Sequence, residues 1–318
     1  MKYPSSLPEV DRAAAAVTIA LAAGVCGAIQ PKINAVLGDR LHSALVASLV
    51  NFGVALVFVV AALVLRPASR RTLAGLRHWP VPSWTLTAGL GGAIIVVAGA
   101  VAVDTIGVAV FSVAFFAGQI TFGLLVDRMG VGPGGARPIT AARLQAVALA
   151  ITAVVLAQAG RPVGEVAPAL VALVVAAGAA FAFQSAFNGR ITRAIGDPVA
   201  ATAVNVSVGI VALAGIVGVL AAAGRIDPVS LPSEPWLYAG GALGVTVVLS
   251  LAVATAALGV LRATLAMLAA QLIAAFAVDW TVQGEPPAIG TFAGALLILA
   301  AVAVVGRQAP PAPVALVR

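Results

Sequence analysis

Charge is scarce in this chain: Asp, Glu, Lys and Arg make up only 9% of its 318 residues, against about a quarter in a soluble domain. With 62% hydrophobic residues and a mean hydropathy of +1.11, the scarcity excludes both a soluble globular fold and a disordered segment. A polytopic membrane protein remains. Cysteine is almost missing too. The single Cys26 excludes an internal disulfide and a cysteine metal cluster. Leu21 to Cys26 has the outline of a lipoprotein cleavage box, but Val25 stands where a small residue is needed, so Cys26 reads as buried packing. The two histidines, His42 and His78, fall between apolar runs, and no Ser/His set, paired Asp or metal-ligand cluster falls within one. Neither catalysis nor a metal nor a cofactor is expected. Gly130 to Gly135 lacks the Gly-Lys-Ser/Thr and the preceding strand of a phosphate-binding loop, which argues against an ATPase. Mid-run Asp and Glu are missing as well, and with them the usual proton-coupling carboxylate of a membrane carrier.

Apolar runs, by contrast, are plentiful. A bilayer core of roughly 30 Å takes about 20 residues of helix, and on that ruler ten spans are predicted. They lie near residues 13–34, 44–65, 83–103, 107–126, 139–159, 166–189, 198–223, 236–257, 261–280 and 287–306. The run from Ala13 has so many successors that it reads as the first membrane helix, not a signal peptide. With the N-terminus in the cytoplasm, 14 of the 18 Lys and Arg residues fall on the cytoplasmic side, leaving Lys32, Arg40, Arg161 and Arg225 outside. Positive charge is retained inside, so both termini are expected there. The net charge of +7 is then a match to anionic lipid head groups, with no nucleic acid implied. Trp79, Trp84, Trp236 and Trp280 sit near span ends, as interfacial anchors do.

The chain also repeats itself. Gln30, Asn34 and Asn51 return as Gln184, Asn188 and Asn205, at the offset of 154 that separates Gln30 from Gln184. A Gln and an Asn four residues apart share one helix face. Further along, Gly89, Gly92, Gly107, Gln119 and Asp127 return as Gly241, Gly244, Gly259, Gln271 and Asp279, at the offset of 152 between Gln119 and Gln271. Two five-helix units follow, over 13–160 and 161–307, between a tail at 1–12 and another at 308–318. Five is odd, so the second unit enters the membrane from the opposite side, and an inverted pair of this kind can open a central site to either face by equivalent motions. The predicted fold is an all-α polytopic membrane protein of ten helices in two inverted repeats.

The order Gln, Asn, a small Gly/Asp/Pro turn, Asn, then Gly, Gln and Asp resembles the YdcZ-like family of bacterial inner-membrane proteins, within the drug/metabolite transporter superfamily. The resemblance extends from Ala13 to Arg307. It implies a ten-helix transporter in the inner membrane that works by alternating access, and it carries no substrate. The halves differ from each other where Pro31-Lys32 stands against Ser185-Ala186, and where His42-Ser43-Ala44 stands against Gly196-Asp197-Pro198. Pro31 is expected to kink the first helix.

Buried amides facing lipid would stay unsatisfied at a cost of several kcal/mol, so all eight should face the bundle interior. There they either bond helices together, for about 1 kcal/mol each, or line a cavity. Gln119 and Gln271, near mid-membrane depth, are assigned to the cavity, with Phe115 and Phe116 as apolar walls. Asn51 and Asn205 lean toward packing, and Gln30, Asn34, Gln184 and Asn188 fit either role. All eight are candidate substrate contacts. Lys32 either snorkels or draws an anion toward the cavity; Asp104 and Arg262 should snorkel. Asp127 and Asp279 read as helix-end residues meeting water or a loop arginine. A secondary transporter for a small polar or amphipathic molecule is the function these features favour, its partners being an unidentified small molecule, the lipid bilayer and a possible second copy of the chain. The competing reading is a membrane scaffold or accessory subunit in which the amides only pack helices.

Overall fold

The computed structural model describes residues 9–76, 78–132, 135–158, 167–258, 260–284 and 288–306. The tails, the 159–166 connection, and Lys2, Arg77, Arg161, Arg307 and Arg318 of the charge argument lie outside them, as does the side chain of Arg262. Each of the ten predicted apolar runs is a helix: α1 (Glu9–Arg40), α2 (Ala44–Leu65), α4 (Ala88–Ile106), α5 (Val108–Met129), α6 (Ala141–Gln158), α7 (Pro168–Ile195), α8 (Pro198–Ala222), α9 (Ala239–Leu258), α10 (Val260–Gln283) and α11 (Ile289–Gly306). A short helix that the apolar pattern does not announce, α3 (Pro67–Ala74), follows α2. Among the described residues, seven stretches are long and apolar enough to cross a bilayer: Ala13–Arg40, Ala44–Leu65, Ser83–Ile106, Val108–Met129, Pro168–Ile195, Pro198–Ala222 and Ala263–Val282. Ala141–Ala157, Pro235–Leu251 and Ile289–Val305 are apolar but shorter. Pro31 does not break α1, which runs through it as one helix.

The halves interlock. α1 packs against α9 and α10 of the second half, and in the same way α7 packs against α4 and α5 of the first. α2 meets α8 and α9, α8 meets α2 and α4, and α6 pairs with α11. Small residues make the crossings close. A Cβ on Gly178 of α7 would fall 2.0 Å from the Phe115 carbonyl oxygen, and one on Gly24 of α1 would fall 2.2 Å from that of Met267. Gly24 and Gly178 occupy matched positions of the repeat, so the α1–α10 and α5–α7 crossings are built alike. The largest apolar cluster surrounds the second of them, with Phe111, Phe115 and Phe116 against Val171 and Val174, and Leu268 and Leu272 of α10 joining from the side.

The turns that differ in sequence agree in backbone. His42 and Gly196 both take positive φ, +49° and +77°, a conformation natural to Gly and strained for His. The next residue caps a helix in both halves: Ser43 Oγ accepts from Val46 N at 3.3 Å, and Asp197 Oδ1 accepts from Val199 N at 2.8 Å and Ala200 N at 2.9 Å. α3 is fastened beneath the second turn by Ser69 Oγ, which donates to Asp197 Oδ2 at 2.7 Å. Among the tryptophans, Trp84 stays exposed, edge-on to Phe187 and under the Arg190 guanidinium, and Trp236 and Trp280 are exposed too.

Candidate functional site

The candidate residues gather into two amide clusters of the same design. In the first, Asn51 Nδ2 of α2 donates to Asn34 Oδ1 of α1 at 2.5 Å, and the two residues are only 4% and 2% exposed. In the second, Asn205 Nδ2 of α8 donates to Asn188 Oδ1 of α7 at 3.0 Å, and Gln184 Nε2 donates to Asn205 Oδ1 at 3.3 Å. Each cluster is roofed by glycines from the opposite half. A Cβ on Gly240 of α9 would lie 2.3 Å from Asn34 Oδ1, and one on Gly244 would lie 2.6 Å from Gln30 Nε2. On α4, a Cβ on Gly92 would lie 3.1 Å from Gln184 Nε2. Only a helix face without side chains can come this near an amide pair.

The clusters are not equally sealed. The difference lies at one matched pair: Asn34 is buried and Asn188 half-buried, whereas Asn51 and Asn205 are both buried and Gln30 and Gln184 both half-buried. Gln184 Oε1 is itself a buried acceptor with no hydrogen-bond partner among the described residues, and a carbonyl left in that state costs about 1–3 kcal/mol unless a donor reaches it. The glutamines expected at mid-membrane depth also diverge. Gln271 of α10 is 7% exposed and donates from Nε2 to the Gly27 carbonyl of α1 at 3.4 Å, which ties two helices together. Gln119 of α5 is half-buried beside Gly178 and makes no hydrogen bond among the described residues. Phe115 and Phe116, expected as cavity walls, are buried in the apolar core, Phe115 stacked on Phe111 at 6.0 Å between centroids and tilted against Phe181 at 5.4 Å.

The charged side chains are mostly spoken for. Lys32 Nζ is paired with Asp104 of α4. Arg40 Nη1 reaches Glu234 Oε1 at 2.7 Å, and Arg143 Nη2 reaches Asp127 Oδ2 at 3.0 Å. Asp127 thus has the arginine partner read from the sequence, although Arg143 comes from α6. Asp279 departs from its reading. It is 7% exposed, and its two carboxylate oxygens accept from Val108 N at 2.7 Å and Ala109 N at 2.8 Å, which caps α5 from a helix of the other half. A negative charge at a helix N-terminus answers the free N–H groups and the positive end of the helix dipole, so burial there replaces contact with water. Sequence offers one hint of this, the spacing of Gly107, Gln119 and Asp127 that both copies share. At Asp197, burial alone would raise the carboxyl's pKa, but the Ala200 and Val199 N–H groups, Ser69 Oγ and nearby Arg66 outweigh it and hold the pKa below the usual aspartate value.

These features define an all-helical, multi-pass membrane protein made of two like halves that roof each other's polar clusters. A solved crystal structure shares the fold: the TM-score is 0.56 at 17% identity, over 92% of this chain and 96% of the other. The family described as "Putative inner membrane exporter, YdcZ" matches the chain twice, over residues 15–156 and 169–304. The chain belongs to that YdcZ family of the drug/metabolite transporters, in a two-repeat form, and is an inner-membrane protein of a transporter family. A search of curated proteins finds no match.

Proposed function

We propose that this protein is a secondary transporter that moves a small polar or amphipathic molecule, metabolite or drug, by alternating access. In this reading all ten long helices span the membrane, the five-helix halves are inverted relative to each other, and both termini are cytoplasmic. The substrate binds between the halves near mid-membrane depth, among Gln119, Gln184 and Asn188, in a largely neutral site. One observation carries the reading: the polar cluster is built twice, each time from one half and roofed by the other, an arrangement that helix packing alone does not require. The free hydrogen-bonding capacity of Gln119 and of Gln184 Oε1 supports a ligand on the second-cluster side.

A scaffold reading is favoured by the Gln271–Gly27 bond and the two Asn pairs, which are all interhelical ties. The readings separate in a thermal-shift screen of the detergent-solubilised protein against metabolites, amino acids, vitamins and cationic drugs, because a ligand that binds only the folded state raises the melting temperature. A hit should vanish in Gln119→Ala with the unliganded melting temperature nearly unchanged, and Gln271→Ala should lower that temperature. No hit from a broad library on stable protein, together with equal destabilisation by both substitutions, would leave the scaffold standing.

A further inference from the structure

Most helix contacts in one half have a counterpart in the other among the described residues, and the most extensive one that does not is α1–α4. α1 packs along α4, but its counterpart α7 makes no comparable packing with α9 among the described residues. The α1–α4 contact is close. A Cβ on Gly99 would lie 3.4 Å from Pro31 Cβ, and one on Gly38 would lie 3.7 Å from Ala100 Cβ. At this end Lys32 bonds Asp104, with Asp39 beside the pair, and Arg40 bonds Glu234. Leu37, Leu41 and Leu237, each 1% exposed, form a plug under these charges. The matched positions across the repeat are Ser185 for Pro31, Ala186 for Lys32, Leu251 for Gly99 and Ala256 for Asp104. Two alanines stand where the lysine and the aspartate would be, so no ion pair can form between those positions. Ser185 is exposed, and Gln184 and Asn188 are half-buried.

We infer that the α1–α4 contact is a gate, closed in this structure and locked by the Lys32–Asp104 pair, and that the α7–α9 contact centred on Ser185 and Leu251 is its open reciprocal gate. The inference rests on the alternating-access reading and adds to it which helices part, which charge pair holds one state and which amide cluster is accessible in that state. The lock is one-sided. Closing α7 on α9 gains no ion pair, so the state with the Lys32 end shut is favoured by the worth of Lys32–Asp104, and breaking that pair shifts the balance toward the other state.

The test needs no substrate. Two cysteine pairs are made separately in a Cys26→Ala background in native membranes, and disulfide yield after mild oxidation is read from gel mobility. Pro31→Cys/Gly99→Cys matches the Cβ separation of a disulfide, roughly 3.5–4.5 Å, and should cross-link in most molecules. Ser185→Cys/Leu251→Cys should cross-link in a small minority. Adding Lys32→Gln, which leaves Asp39 and Asp104 without their cation, should raise the Ser185–Leu251 yield roughly two- to fivefold, the shift expected from losing a partly exposed ion pair, and should lower the Pro31–Gly99 yield. Asp104→Asn breaks the same pair and should act alike, which covers the case in which one variant fails to fold. A Ser185–Leu251 yield that stays constant while Pro31–Gly99 falls, or that is already near complete at rest, overturns the gate. A ligand found by thermal shift in a protein whose Ser185–Leu251 pair never cross-links would sink the gate and keep the transporter; reciprocal cross-linking with an empty ligand screen would keep the gate.

Discussion

The two amide clusters are assembled from the same residues at matched positions, yet Asn34 is sealed and its match Asn188 is half-buried. Asn34 and Asn51 are all but removed from solvent, their bond made and their roof of α9 glycines in place. Asn188 stays half-buried, and Gln184 Oε1 beside it has no partner among the described residues. The local chemistry differs in part: Gly240, the roof nearest Asn34, is matched by Ala88, and Gln184 bonds Asn205 where no Gln30–Asn51 bond is made among the described residues. The neighbouring helices differ as well: α1 packs along α4 at the first cluster, and α7 makes no comparable packing with α9 among the described residues. Equivalence in sequence therefore fixes what each end can become, and a few charged residues outside the repeat pattern decide which end is closed.

The largest effect that would break this correspondence comes from filling a roof. A Cβ at Gly241 would meet the Asn51 carbonyl oxygen at 2.3 Å, and one at Gly89 would meet that of Asn205 at 2.6 Å. Gly241→Val should cost about 2–3 kcal/mol and Gly89→Val about 1–2 kcal/mol, read as loss of thermal stability in detergent. Equal costs would mean that the second cluster is as tightly held as the first. Next in size is the contrast between the carboxylates at matched positions. Asp279→Ala leaves two N–H groups of α5 unanswered and should cost about 1–2 kcal/mol. Asp127→Ala breaks an ion pair with a 39% exposed carboxylate and should cost no more than about 1 kcal/mol.

The smallest effect separates the two helix caps by pH. The pKa of Asp197 is held below its usual value in the folded chain, so its carboxylate adds stability that is fully present above the unfolded aspartate value of about 3.9 and is lost as pH falls through the folded value. Ser43, its counterpart, does not titrate in this range. Asp197→Asn should therefore flatten the acid limb of the stability–pH curve, and Ser43→Ala should lower the whole curve without changing its slope. An acid limb unaltered by Asp197→Asn would mean that other carboxylates govern it.

Much of this molecule is legible in its sequence. The apolar runs mark each long helix to within a few residues, because a membrane demands a minimum run of apolar helix and this chain has little else. The offsets of 154 and 152 pair Asn34 with Asn188 and Gln119 with Gln271 as positions in the repeat. What each side chain touches is much less legible. Asp279 reads as a helix-end residue facing water, because its distance along its own helix gives no sign that α5 of the other half begins beside it. Lys32 reads as free because Asp104 is 72 residues away in the chain. Phe115 and Phe116 have the composition of a binding wall and the position of a core. Gln119 and Gln271 look interchangeable, but Gly27, where a Cβ would meet Gln271 Oε1 at 2.9 Å, leaves that amide room to reach a backbone carbonyl, whereas Phe181 stands at the matched position of α7.

The exchanged roofs also bear on how the chain is made. When α1 and α2 leave the ribosome, Asn34 and Asn51 can bond each other, but the glycine face that covers them belongs to α9, which is synthesised only after α3 to α8. For most of its synthesis the first half therefore holds a polar pair without its glycine cover. It also carries the sticky surface by which two separately expressed halves could find each other and rebuild the whole.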